Sequence, residues 1–209
     1  MNIPVNADYC EKIFFKAIED YHIRDEVTDL IQNPFDENSN TIENLLYTKC
    51  WIDTVQWHLE DIIRAPEIDP REALLIKRKI DLSNQNRNDT VEKIDEWILK
   101  SFHHTEIELQ KDARMNSESP AWILDRVSIL CLKIFHMKIE VNRKGGSKVH
   151  LQTCSEKLSI MNQQMTDLSK CFDELMWDIA SGNKYMKVYR QLKMYNDPEL
   201  NPSLYKKSL

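Results

Sequence analysis

Asn84 and Arg87 stand where a core-facing helix stripe should be apolar. The stripe reads Ile76, Ile80, Asn84, Arg87, Val91, Ile94 and Ile98 at steps of four or three, and its polar middle lies in "KIDLSNQNRNDTVEKID", residues 79–95. A guanidinium on such a face costs several kcal/mol unless it is paired and hydrogen-bonded. Arg87 must therefore meet a carboxylate, reach water or contact an anionic ligand. A second apolar helix, expected over about 120–144, carries the complementary polar groups Asp125, Arg126, Ser128, Lys133 and His136. Asp125 is the expected partner, because a desolvated guanidinium requires a planar, bidentate acceptor. Such a layer either fixes helix register, as a buried Asn does in coiled coils, or lines a ligand pocket between helices. On the second alternative Asn84, Arg87, Asp125, Arg126, Lys133 and His136 are candidate ligand-binding residues.

"QWHLED" (56–61) adds Trp57 and His58 to that set. An indole face suits a sugar ring, and His with Asp can bond hydroxyls. The alternative is a half-exposed aromatic packing against a neighbouring helix.

Catalytic constellations fare worse. An all-α nucleotide pyrophosphohydrolase clusters carboxylates around magnesium through EExxE and ExxD motifs. Here "EDIIR" places Arg64 where the third carboxylate belongs, and a cation there opposes Mg²⁺. If the second and third helices turn near Glu67, Glu92 falls about 18 residues beyond the level of Glu60, roughly 27 Å at 1.5 Å per residue. A carboxylate-bridged metal bundle needs paired Glu-x-x-His motifs, and "EDYH" (19–22) is a single copy. The six histidines (22, 58, 103, 104, 136, 150) show no ligand spacing along the chain, so neither metal nor cofactor is expected. There is no GxSxG elbow either.

Three glycines in 209 residues exclude Gly-rich phosphate loops and dinucleotide fingerprints. With 42 % hydrophobic and 30 % charged residues the chain reads as one soluble domain with a sizeable core. The net charge of −6 argues against nucleic-acid binding. No signal peptide and no membrane span are expected. The five cysteines lack zinc-type spacing and read as reduced packing residues of a cytoplasmic protein.

The elements that position these residues follow from pattern. A first helix is expected from about Asp8 to Gln32, ahead of Pro34. A second is expected from Asn40, whose capping box closes with Glu43, to about Arg64. Asp69, Pro70 and Glu72 start the third. Ser119 and Pro120 start the fourth, which is greasy on so many sides that it must be central. After "KGGS" the fifth repeats Leu151, Cys154, Leu158, Met161, Met165, Leu168, Phe172, Leu175 and Ile179, close to heptad spacing, and so should return along the fourth as a hairpin. Gly182 ends it. The fold class is all-α: an antiparallel bundle of four long helices plus an N-terminal one, over 1–182. Residues 183–209 form a basic tail with a short amphipathic helix, expected to dock through Tyr185, Val188, Leu192 and Tyr195.

"WIDTVQWHLEDIIR", "KIDLSNQNRNDTVEKID", "NSESPAWILDRVSILCLKIFHM" and "IASGNKYMKVYRQLKMYNDPELNP" together resemble an uncharacterised bacterial family, the domain of unknown function numbered 4254. The resemblance implies an all-α fold and brings no activity or site residues with it. It also implies a setting, since members are often encoded near glycosyltransferases of surface-polysaccharide synthesis. The expected function is therefore a cytoplasmic binding or accessory protein rather than an enzyme. Its partner classes are a protein or an anionic small ligand. The alternative is an enzyme acting on a phosphorylated or nucleotide-linked sugar through the polar layer.

Overall fold

The structure, a computed structural model, describes residues 3–27, 33–35, 41–103, 107–190 and 198–202. Five helices make up most of it: α1 (Ala7–Arg24), α2 (Ile42–Ile62), α3 (Pro70–His103), α4 (Pro120–Val141) and α5 (Lys148–Ala180). Two short strands, β1 (Arg114–Met115) and β2 (Lys184–Tyr185), pair in parallel. The all-α class expected from pattern is the one observed.

Local chemistry sets the helix ends. Asn6 Oδ1 accepts from Tyr9 N at 2.9 Å, Asp69 Oδ1 from Arg71 N at 2.9 Å, and Ser147 Oγ from His150 N at 3.2 Å. Each satisfies a backbone donor that has no partner within its helix. α1 is shorter than expected. It stops at Arg24, where Asp25 turns left-handed (φ 53°) and its N–H closes on Tyr21 O. Asp tolerates that conformation better than most residues, so the apolar period running on toward Gln32 did not decide the end. α2 is capped by Thr41, which accepts from Asn44 N at 3.2 Å, and not by Asn40, which lies outside the described residues.

α4 packs against each of the other four helices, as its all-round apolarity demanded. Leu124, Val127, Cys131 and Leu132 are fully buried along it. Its most extensive partner is α5, which returns from the Gly145 turn with Met161 and Leu168 half-buried against the core. Four cysteines are buried and Cys171 is exposed, all as free thiols. No helix among the described residues is long and apolar enough to cross a membrane.

Gly182 has φ +73°, and a Cβ there would sit 2.2 Å from Glu108 O. Only glycine lets the connector after α3 pass so close to the end of α5. That connector then offers its edge to the following chain, through Gln110 N–Gly182 O (3.0 Å) and Arg114 N–Asn183 O (3.1 Å). Residues 184–190 accordingly hold a strand and irregular backbone, not the amphipathic helix expected there. Tyr185, Met186 and Val188 are half-buried, while Leu192 and Tyr195 lie outside the described residues.

Candidate functional site

Three helices interrupt their apolar stripes at one level of the core. α2 supplies Lys49 and Asp53, α3 supplies Arg87, and α4 supplies Asp125 and Ser128. Arg87 faces Asp125 in a fork: Nε donates to Oδ1 at 2.7 Å and Nη2 to Oδ2. Lys49, 1 % exposed, donates to Asp53, lies 3.0 Å from Asp125 Oδ1 and donates to the Asp125 carbonyl at 3.1 Å. Ser128 Oγ donates to Asp53 Oδ2 at 2.6 Å, and Arg87 Nε is 3.5 Å from Asp53 Oδ1. Two cations thus balance two carboxylates.

The two carboxylates titrate in opposite directions. Burial raises the Asp53 pKa against the pull of Lys49, with the neighbouring Asp125 charge raising it further. For Asp125 burial also works upward, but Arg87 and Lys49 outweigh it and hold the pKa below the ordinary carboxylate value. The hydrogen bond from Arg87 is the main reason its own pKa rises.

Asn84 extends the layer sideways, accepting from Gln56 Nε2 at 3.0 Å, while Ser83 Oγ donates to Gln56 Oε1 at 3.1 Å. Arg126 and Lys133, grouped with these residues on sequence, sit instead on the outer face of α4. Both are exposed, and Arg126 pairs with Glu118 at 3.2 Å. Lys49 and Asp53 were not singled out from sequence. Yet they carry the same signal as Asn84 and Arg87, since charges four apart fall among Leu45, Leu46, Cys50 and Thr54, all buried.

A second cluster lies further along α2 and α4. His22 of α1, His58 of α2 and His136 of α4 each place one ring nitrogen within 4.8 Å of the others. His22 Nε2 is 3.3 Å from His58 Nε2, and His22 Nδ1 is 2.7 Å from the Ile18 carbonyl. Aromatic walls hold the rings: Trp57 stacks on His136 at 5.0 Å, Tyr21 on His58 at 5.1 Å, and Phe135 lies 4.4 Å from His22. One face of Trp57 is thereby occupied by His136, and the residue also lines the pocket beside Arg87. Burial, then the neighbouring imidazoles, push the His136 pKa down to about 4, and the same causes lower that of His58. Sequence spacing had pointed to no such set, because its three members come from three helices.

One concavity adjoins the ionic layer, and a larger one lies apart from both clusters. A pocket of about 320 Å³ lies beside Arg87, lined also by Asp53, Trp57, Glu60, Asp61 and Arg64. A larger open groove of about 1410 Å³ runs between the N-terminal ends of α1 and α2 and the last turns of α5. Tyr9, Trp97 and Trp177 line it with Glu11, Glu43 and Asp173. Trp177 is 54 % exposed. None of these groove residues is a site candidate on sequence, and Glu43 is read there only as part of a helix cap.

Fold and sites together define an all-α protein organised on a buried central helix, with a neutral ionic layer and a histidine cluster inside it. The chain belongs to the family described as "Protein of unknown function (DUF4254)", whose family model spans residues 43–188. No curated protein and no solved structure matches it.

Proposed function

We propose that this chain is a carbohydrate-binding accessory protein of a bacterial cytoplasm, serving glycosyl transfer or surface-polysaccharide synthesis. The setting rests on the family resemblance, and the four buried free thiols suit a reducing compartment. One observation carries the ligand class. The 1410 Å³ groove presents an exposed indole, Trp177, with Trp97 and Tyr9 nearby and carboxylates between them. Indole faces stack on sugar rings, and carboxylates accept from hydroxyls. The same acidity disfavours nucleic acid and anionic ligands in this groove.

The rival is an enzyme acting on a phosphorylated or nucleotide-linked sugar at the smaller pocket, where Arg64 and Arg87 both face the lining. Against it, Asp53, Glu60 and Asp61 line the same pocket, and Arg87 is already committed to Asp125. Calorimetric titration of the full chain with neutral and phosphorylated oligosaccharides separates the two. Neutral glycans should bind, and Trp177→Ala should weaken them at least about tenfold, the equivalent of one lost stacking contact near 1.4 kcal/mol. Binding only of phosphorylated sugars, abolished by Arg64→Ala and untouched by Trp177→Ala, would favour the enzyme.

A further inference from the structure

We propose that His22, His58 and His136 form a binding site for a divalent transition metal of the zinc class, with one further coordination position open. The site is independent of the groove and of the carbohydrate reading.

Three observations carry it. The first is distance. Two nitrogens bound to one tetrahedral zinc, each at about 2.0–2.1 Å, lie about 3.3 Å apart. His22 Nε2 and His58 Nε2 are 3.3 Å apart, and a nitrogen of His136 lies within 4.8 Å of both partners' ligand atoms.

The second is orientation. With Nδ1–H of His22 donating to the Ile18 carbonyl at 2.7 Å, the proton is fixed on that nitrogen and Nε2 is left with its lone pair toward His58. Metal-bound histidines characteristically donate their other N–H to a carbonyl or carboxylate in this way. A proton on His58 Nε2 settles that one contact. It leaves His136 Nε2, which is wholly buried and without a hydrogen-bond partner. The three imidazoles meet pairwise in edge-to-face contacts, with ring centroids 5.2–5.5 Å apart, and a shared cation would also satisfy the nitrogen that this packing leaves without a partner.

The third is charge. Asp25 Oδ1 lies 3.9 Å from His58 Nε2, and the negative charges of Asp25 and Asp61 act on both His58 and His136. Asp25 is also the one non-glycine residue with positive φ among the described residues. Its carboxylate lies close enough to accept a hydrogen bond from a water in the open fourth position. Imidazole donors select zinc, copper, nickel or cobalt over magnesium and calcium.

A second group, Glu140, His150 and Cys154 at the α4–α5 turn, also gathers ligand types. There Glu140 Oε2 and His150 Nε2 already satisfy one another at 2.9 Å, so it serves as the internal control.

The test is calorimetric titration of the metal-free full chain with Zn²⁺ and, separately, Mg²⁺. One equivalent of Zn²⁺ and no Mg²⁺ should bind. His22→Gln, His58→Gln and His136→Gln should each weaken Zn²⁺ by more than about 100-fold, beyond the 10- to 100-fold typical of losing an outer-shell partner. His150→Gln should leave it unchanged. X-ray absorption of the zinc-loaded wild type does not depend on any variant folding, and it should show three imidazole ligands. Absence of Zn²⁺ binding, binding that persists in His58→Gln, or a zinc shell of thiolate or carboxylates without the imidazoles overturns the assignment.

Discussion

The ionic layer and the histidine cluster share helices α2 and α4, about one and a half turns apart along α2 and a little over two along α4, and treat their polar atoms differently. In the layer Lys49 and Arg87 face Asp53 and Asp125 and Ser128 donates to Asp53 Oδ2, so charge closes on itself, and the one oxygen without a hydrogen bond, Asp53 Oδ1, still lies 3.5 Å from Arg87 Nε. In the cluster three imidazoles meet one another before any anion, and Asp25 stands off at 3.9 Å. A closed network is matched to the folded state and has little left to offer a ligand. An open one leaves a buried nitrogen whose desolvation is uncompensated until something binds. The difference separates a group that holds helices in register from a group that recognises something.

The sharpest way to break that comparison is to open the closed layer. Lys49→Met leaves two carboxylates sharing one guanidinium in the core. It should cost about 3–5 kcal/mol, read as a fall in urea midpoint at pH 7. A loss under about 1 kcal/mol would mean that the layer is not closed. Arg87→Met should cost less, about 2–3 kcal/mol, because its side chain is 24 % exposed and water from the adjoining pocket can reach Asp125. Adding Asp125→Leu to Arg87→Met should recover part of that loss, since no carboxylate is then left facing an empty place. A double-mutant cycle with no coupling between Arg87 and Asp125 contradicts the pairing.

The layer was half legible in the sequence and the cluster was not, for a physical reason. A charge on an apolar stripe violates a periodic rule, so Arg87 stands out from one helix alone, and the guanidinium's need for a planar acceptor then leads to Asp125. The His22–His58–His136 set violates nothing. Each histidine is an ordinary half-buried residue of its own helix, and only the packing of α1, α2 and α4 brings them together. The helix starts at Asp69 and Pro120 were legible because caps are local chemistry, and the heptad ladder of α5 announced its place along α4. The end of α1 was missed because a left-handed Asp25 leaves no pattern in residue type. The strand at Lys184–Tyr185 was missed because it depends on a partner some 70 residues away. The groove's Trp97 and Trp177 share no periodic signal and are joined only by tertiary structure.

Asp95 offers the finest test, because it is buried between the same helices α3 and α4 but has hydrogen-bond donors in place of cations. It accepts from Ala121 N at 2.9 Å and from Ser119 Oγ, so a carboxylate of α3 caps the first turn of α4 while Ser119 holds only the cap position. Burial pushes its pKa up to about 6, with the Glu92 charge adding to the rise against the pull of the two donors. A carboxyl whose folded pKa exceeds its unfolded value contributes stability that is fully present below about pH 4 and is lost as pH rises through about 6. Asp95→Asn keeps an acceptor for Ala121 N and removes the titration. Relative to that variant, the wild type should therefore lose about 1–2 kcal/mol between pH 4 and pH 7, measured by urea unfolding at each pH. Asp125, held down by two cations, should show no such loss over that range. If the two stability curves run parallel from pH 4 to pH 7, then hydrogen bonds alone hold a buried carboxylate as firmly as Lys49 and Arg87 do. The distinction between closed and open polar groups in this core would then rest on the histidines alone.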